Sequence, residues 1–466
     1  MIILNANTPY VQSQITSNNH QNFKRCTIYS RQCTRFHFFR CLFLLSSTYT
    51  PCYQGGGGGE KVLWHAIKSL DDEHLGIQIN IYTVDDYKDT LKFVKNHFDL
   101  EFNNEICFIP LRSYWLTDSS LWPVATLIGM SLASTIVAIE AIVQHSPDIL
   151  VDTVGHAFIY PVFRILTWCK VACYVHYPTI STDMLTPVLE RNVAVNNSRW
   201  IASSNLLTVF KLQYYKMFSV LYYICGQFTD LVMVNSTWTR RHIEYLWRTS
   251  TCKLIFPPCD VHLFANNKTD SDRKWKVISV AQFRPEKRLE FQVEILKILT
   301  ERHLDLVDQY NLKWVFVGGC RNSDDEARAT NIRRLVKLQK LDGFVEFHIN
   351  VSYEDLKNLM HQSRIGIHTM HEEHFGIAVV ECMAAGLIMI GNASGGPHLD
   401  IIVDNKNGYT ANTAEEYVNT IVKIISMSQA ELSQMKKISE QSISRFDSSK
   451  FRQSFRSAFI DTFITH

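Results

Sequence analysis

The chain has 466 residues, of which 46% are hydrophobic and 20% charged, and a formal net charge of +2. That length is enough for two or three domains with their own cores, and the composition excludes an intrinsically disordered chain. So small a net charge supplies no strongly basic field, which excludes nucleic acid as the main partner. The 12 cysteines form no Cys-x-x-Cys pair, so neither a zinc ribbon nor a thioredoxin-like site is indicated, and reduced thiols in the cytosol are the expectation.

Residues 1–40 read as a basic, disordered segment. The first 59 residues contain no Asp or Glu, yet carry Lys24, Arg25, Arg31, Arg35 and Arg40. A basic, acid-free stretch has the composition of a transit segment. The apolar run Cys41–Leu45 is far short of the about 20 residues that span a bilayer, and a first strand over 41–46 is the other reading. Next come five glycines, Gly55–Gly59, and then Glu60–Ile67 with amphipathic helical spacing. A flexible linker would be followed by aperiodic polar sequence, so the glycines are expected to form a strand-to-helix turn whose backbone approaches a ligand closely. Gly57 and Gly58 are its candidate donor contacts.

Short apolar runs at 77–82, 106–109, 149–152, 171–176 and 231–235 predict strands, with helical stretches between them. Residues 124–143 are long and apolar enough to cross a membrane. Glu140 within them would be costly at mid-bilayer, so a buried or interfacial helix is expected instead. Residues 206–225, with Lys211 and Lys216 among four tyrosines, suit a helix at the headgroup boundary, or an ordinary core helix. Asn235-Ser236-Thr237 after a strand reads as a helix start. These segments form a first domain over 41–268, bounded by the polar stretch 266–274.

The second domain, 269–444, alternates strands at 275–283, 312–319, 344–349, 364–370 and 387–392 with helices at 289–303, 325–341, 353–363 and 376–385. This pattern predicts a doubly wound α/β fold in each half, with ligands at the carboxyl ends of the strands. Residues 445–466 read as a further helix that crosses back onto the first domain.

The candidate site residues lie at those strand ends. Arg284 and Lys287, three apart after a strand, suit a diphosphate: one a planar fork, the other a point charge. Glu373 lies on a loop and Glu381 two turns into the following helix, whose opening amides at Phe375, Gly376 and Ile377 form an anion site. Glu381 suits two ribose hydroxyls. The tetrad His371-Glu372-Glu373-His374 precedes the helix and so offers no helical face of metal ligands. Ser394-Gly395-Gly396-Pro397 forms a third loop at the same edge. In the first half, His176 and Tyr177 end one strand and His156 follows another. For a lone histidine at a strand end, a structural role is the competing explanation.

Together these residues resemble those of retaining glycosyltransferases of family 4, which have the GT-B fold of two Rossmann-like domains around a cleft. The strings GGGGEKVLW, YVHYPTISTDML, VNSTWT and HFGIAVVECMAAG resemble, more closely, the family's GDP-mannose-dependent α-1,2-mannosyltransferases acting on a dolichyl-diphosphate oligosaccharide. That resemblance covers roughly residues 50–460. It implies donor binding by Gly57, Gly58, Arg284, Lys287, Phe375, Gly376, Ile377 and Glu381, with Glu373 and His176 at the reacting sugar and His156 and Tyr177 on the acceptor side. It implies no cofactor and no catalytic metal, consistent with an Asp270/Asp272 pair placed in the linker. The implied setting is the cytosolic face of the endoplasmic reticulum membrane, beside other mannosyltransferases of the pathway. Whether retention proceeds by front-face attack or through a covalent intermediate stays open. The family's N-terminal hydrophobic anchor has no match in this basic N-terminus, so anchoring by interfacial helices is one expectation and an atypical N-terminal segment the other. A different nucleotide sugar or lipid acceptor is the alternative activity. An inactive sugar-nucleotide-binding scaffold is disfavoured because Arg284, Lys287, Glu373 and Glu381 are all present.

Overall fold

The computed structural model describes residues 39–44, 57–72, 75–83, 87–180, 204–265 and 273–465. The basic segment up to residue 38, Gly55 and Gly56, the 181–185 end of the YVHYPTISTDML string, and Asp270 and Asp272 lie outside the described residues.

The first domain runs β1 (Phe39–Leu44), α1 (Gly58–Leu70), β2 (Ile77–Thr83), α2 (Tyr87–Phe98), β3 (Cys107–Pro110), α3 (Thr126–Gln144), β4 (Ile149–Asp152), α4 (Ile159–Thr167), β5 (Lys170–Val175), α5 (Asn205–Gly226), β6 (Leu231–Val234), α6 (Thr237–Trp247) and β7 (Lys253–Leu254). The second runs β8 (Lys276–Val280), α7 (Leu289–Arg302), β9 (Lys313–Gly318), α8 (Ser323–Leu338), β10 (Val345–Ile349), α9 (Tyr353–Gln362), β11 (Ile365–His368), α10 (Ile377–Ala384), β12 (Ile388–Asn392), β13 (Tyr409–Ala411), α11 (Ala414–Ile425) and α12 (Gln429–Ile443). A last helix, α13, spans Ser448–Phe463.

The sheets are ordered β3-β2-β1-β4-β5-β6-β7 and β10-β9-β8-β11-β12-β13 among the described residues. Neighbouring strands pair in parallel, for example Cys41 with Ile149 in the first sheet and Ile365 with Val277 in the second. Strands covered by helices on both faces need no polar side, which is why β4, β11 and β12 are buried along their length. Both orders reverse at a switch point, between β1 and β4 in one sheet and between β8 and β11 in the other. The crevice outside the carboxyl ends of the strands at such a point is where ligands bind.

Local chemistry fixes most helix boundaries. Ser236, Asn322 and Ser352 cap α6, α8 and α9 through their side chains, and Thr413/Glu416 and Ser428/Glu431 form capping boxes on α11 and α12. The expected strand 275–283 ends three residues early. Ala281–Phe283 turn out of the sheet, and Phe283 is apolar because it is fully buried under the loop that follows. The helix expected at 325–341 starts at Ser323 and stops at Leu338, with Lys340 in the left-handed region at φ 57°.

The first sheet is sandwiched by two apolar cores, and so is the second. Helix α13 follows the second domain in sequence but packs on the first. Phe451, Phe455 and Phe459 join one core with Val62, Ile67, Ile79 and Met233. Arg456 pairs with Asp72, and Arg452 lies 3.0 Å from Nδ1 of His65. The chain therefore crosses between domains twice, at 255–260 and at 446–448. The two crossings are joined where the Ser448 amide donates to the Cys259 carbonyl at 3.1 Å.

Phe455 is completely buried in that first-domain core. Its replacement by Ala is expected to cost about 3–5 kcal/mol. Denaturant unfolding followed by circular dichroism reads that loss, and an unchanged midpoint would mean that α13 does not stabilise the first domain.

Candidate functional site

The two switch points face each other. Residues of the first domain at this edge are Gly57–Gly59 opening α1, Thr153 after β4, and His176 and Tyr177 after β5. The second domain supplies Arg284 and Lys287 after β8, Glu373 after β11, and the start of α10. The approach is closest at Gly58, where a Cβ would lie 2.8 Å from Cδ1 of Ile377. A Cβ on Gly57 would meet Nη2 of Arg321 at 3.4 Å, and one on Gly59 would meet Nε2 of His176 at 3.8 Å. A side chain at Gly58 would require the Ile377 side chain to shift, so glycine here suits a close approach rather than a special backbone angle.

Arg284 precedes a single helical turn, Pro285–Lys287, at the end of β8. Lys287 forms an ion pair with Glu373, and Nε2 of His368 lies 3.1 Å from the same carboxylate oxygen. Burial alone would raise the Glu373 carboxyl, but the His368 contact and the Lys287 ammonium outweigh it and hold it well below the usual carboxylate range. Glu373 is therefore ionised at neutral pH. The hydroxyl of Thr369 ties the two loops together. It donates to the Lys287 carbonyl at 3.0 Å and accepts from the Gln292 side chain at 2.9 Å.

Gly376 is the N-cap of α10 with φ 99°, a conformation that a residue with a Cβ rarely adopts. The first backbone bond of that helix runs from the Val379 amide to the Gly376 carbonyl, so the amides of Phe375, Gly376 and Ile377 precede it. The Phe375 ring is buried against Phe256 and Phe446; only its amide is suited to a ligand. The turn at Ser394–Gly396 braces this loop, with the Gly396 amide on the Glu373 carbonyl at 2.7 Å and the Ser394 hydroxyl accepting from the Glu372 amide at 2.8 Å. Glu381, one to two turns into α10, lies 3.5 Å from the Lys61 ammonium. Burial raises its carboxyl above the usual range, and Lys61 offsets this in part.

In the first domain, Nε2 of His176 lies 3.0 Å from the Thr153 carbonyl. A carbonyl only accepts, so Nε2 carries the proton and Nδ1 is left as an acceptor. The backbone carbonyl of His176 accepts from the Asn235 side chain at 2.8 Å, fixing the loop. Burial keeps the ring neutral, with its pKa lowered to about 4. Tyr177 is exposed and stacks on His374 with centroids 5.2 Å apart, and Trp238 packs on the other partner of that contact, 5.1 Å from the His374 ring. His156 is set apart from this group. Its ring lines a small internal cavity with Tyr114, Val137 and Phe163, and burial lowers its pKa. His371 and His374 do not join Glu372 and Glu373 in a ligand cluster, and among the described residues no group of three or more His, Cys, Asp or Glu is placed to hold a metal.

The structure thus brings Gly57, Gly58, His176, Tyr177, Arg284, Lys287, Glu373, the α10 amides and Glu381 to one crevice, and leaves His156 behind it. Four residues of the crevice escaped the reading of the sequence: Lys61, Asp260, His368 and Arg321. His368 carried a signal, being the last residue of a strand that already pointed at the site. Lys61 carried none, since a lysine in the first turn of an amphipathic helix ordinarily faces water.

Two protein families match the chain. The ALG11 mannosyltransferase N-terminus family covers residues 44–247, and the glycosyl transferases group 1 family covers residues 263–444. A human protein named GDP-Man:Man(3)GlcNAc(2)-PP-Dol alpha-1,2-mannosyltransferase is 39% identical over 421 residues, covering 88% of this chain and 85% of its own. The protein of that name from Dictyostelium discoideum is 40% identical over 417 residues, covering 87% and 82%. Among solved structures, sucrose-phosphate synthase from Thermosynechococcus elongatus superposes with a TM-score of 0.65 at 14% identity, covering 92% of this chain and all of its own. At that identity the superposition speaks to the fold alone, which is the two-domain GT-B fold.

His176 and His65 are both held neutral in the folded protein, each with a pKa lowered to about 4. In the unfolded chain a histidine titrates near 6.5. The unfolded state therefore takes up protons that the fold refuses, and stability is full above about pH 6.5 and falls as the pH drops toward 4. Guanidinium unfolding at pH 7.5 and 5.0 is expected to show this loss, and His176→Gln to reduce it. An equal pH slope in the variant would contradict the assigned protonation state.

Proposed function

We propose a function from the family to which this chain belongs, that of the ALG11 mannosyltransferases: transfer of mannose from GDP-mannose to a dolichyl-diphosphate-linked Man(3)GlcNAc(2) oligosaccharide, forming α-1,2 linkages with retention. The observation that carries this reading is the crevice itself. Arg284, Lys287 and the opening amides of α10 stand together at one switch point, with Glu373 and His176 on either side of the gap.

In this reading the donor diphosphate lies against Arg284, Lys287 and the amides of Phe375, Gly376 and Ile377, facing the backbone of Gly57 and Gly58. Charge that develops on the leaving diphosphate meets cations and a helix N-terminus already in place, which is how a preorganised site lowers such a barrier. Glu381 accepts from the ribose hydroxyls. Glu373, ionised through its contacts with His368 and Lys287, accepts from the mannose hydroxyls, and its pairing with Lys287 couples the sugar site to the phosphate site. His176 enters neutral, donating through Nε2 to Thr153, so its Nδ1 can accept a hydroxyl proton but not donate one. Tyr177, exposed at the first-domain rim, is on the acceptor side.

The lipid part of the acceptor calls for a membrane surface. Helices α3, α4 and α5 pack side by side and turn apolar residues to solvent: Leu132, Ile136 and Val143 on α3, Ile165 on α4, and Phe210 and Val220 on α5. Contiguous exposed apolar area on this scale marks an interaction surface. Helix α3 is long and apolar enough to cross a membrane, but Glu140 accepts from the amides of Arg112 and Ser113 at 2.8 Å, fastening it to the domain. We place this face in the headgroup region of the endoplasmic reticulum membrane, with the crevice in the cytosol.

Incubation with labelled GDP-mannose and the trimannosyl lipid acceptor is expected to lengthen the glycan by two α-1,2-linked residues. Lys287→Met and Glu373→Ala are each expected to lower turnover by on the order of a hundredfold or more. Donor binding without transfer by the wild type would instead favour a scaffold. Phe210→Glu with Val220→Glu is expected to reduce sedimentation with phospholipid vesicles while leaving GDP affinity unchanged; undiminished sedimentation would rule out this face.

A further inference from the structure

Lys61 is a buried cation in the crevice to which neither the sequence reading nor the proposed chemistry gives a task. It sits in the first turn of α1, where its own amide closes the helix onto the Gly57 carbonyl at 3.1 Å. Its side chain is 8% exposed and its ammonium reaches two carboxylates, Asp260 at 2.7 Å and Glu381 at 3.5 Å. Asp260 lies on the first crossing between the domains, and its other oxygen accepts from the Ser448 hydroxyl, on the second crossing, at 2.8 Å. One node therefore joins the first domain, both crossings and the second domain's α10.

The two contacts differ in kind. Asp260 holds the ammonium at full ion-pair distance and is itself held by Ser448, so the lysine is fixed from the crossings. Glu381 is touched at the outer limit of a hydrogen bond. A carboxylate has about four acceptor sites, so this contact neutralises Glu381 without saturating it. Without Lys61, two enclosed carboxylates would face each other with no cation, and a buried, unpaired charge protonates or draws in water. A protonated Glu381 would lose half its capacity to accept from ribose hydroxyls.

We infer that Lys61 is a positioning residue for the nucleotide: the first domain supplies the cation that keeps Glu381 ionised and aimed, so the ribose site of the second domain is complete only with the first domain seated on it. This rests on the reading of Glu381 as the ribose carboxylate.

The test compares binding of GDP and 2′,3′-dideoxy-GDP to the full-length protein in detergent by titration calorimetry. Wild type is expected to prefer GDP by tenfold or more, and Glu381→Gln to abolish the preference. If Glu381→Gln keeps it, the ribose assignment fails. If Glu381→Gln loses it, Lys61→Met is expected to cut the preference to twofold or less, with Lys61→Arg restoring most of it. A preference kept in Lys61→Met overturns the inference alone. Should Lys61→Met not fold, Lys61→Gln serves instead: it removes the charge while keeping a polar side chain of similar length, is expected to lower the GDP preference at least threefold, and an unchanged preference there overturns the inference equally.

Discussion

The contact between Gly58 and Ile377 sets the geometry on which the rest of the site depends. Two helices, α1 and α10, meet N-terminus to N-terminus, with Gly58 leaving the space that the Ile377 side chain fills. Helix N-termini carry partial positive charge, so bringing two together with nothing between them is unfavourable. The chain offsets this by placing acidic groups around the junction: Glu60 in the first turn of α1, Asp260 on the crossing, and Glu373 and Glu381 flanking the start of α10. A bound diphosphate would meet the same need with its own charge. The carboxylates that offset the charge of the apposed helix ends are also suited to accept hydrogen bonds from hydroxyls.

That double duty explains the pattern of pairing. Lys287 and His368 share Glu373, and Lys61 shares itself between Asp260 and Glu381. Asp260, Glu373 and Glu381 each have a cationic partner, as burial requires. Each pair also leaves acceptor capacity unused, so a ligand can join without first breaking the network. The aromatic contact of Tyr177 with His374 adds a second bridge across the gap, and Asp400 adds a third by accepting from the amide of Thr237 at the start of α6.

How much of this could be read from the sequence follows from the range of the interactions. The second domain was legible element by element as far as β12, because β8, β9, β11 and β12 are short apolar runs bounded by capping residues and both signals are local; β13, α11 and α12 were not anticipated. The positions of Arg284 and Lys287 followed, since in a parallel sheet a residue just past a strand stands at the ligand edge, and that of Glu381 followed from the helix opening after the end of β11. The strand at 275–283 slipped where a loop residue, Phe283, is apolar for tertiary reasons. His156 shows the limit of the same rule. It follows β4 as His176 follows β5, but the turn through Gly155 at φ 97° carries its ring into a cavity behind the sheet.

Lys61 was illegible for a deeper reason, and α13, although expected to return to the first domain, could not be matched to its partners there from local sequence. Helix α13 has an apolar face that could be read, but which core it covers is decided by a return crossing nearly 190 residues after the first, at the Cys259–Asp447 bridge. A periodic pattern says that a helix has a partner and not which one. Likewise, Lys61 becomes a site residue only because Glu381 arrives 320 positions later. The glycine run was the one local trace of both events. Glycines at the mouth of a helix announce that something must come close. In this chain, what comes close is its own second domain, and the interdomain contact is therefore built from the same residues as the proposed ligand site.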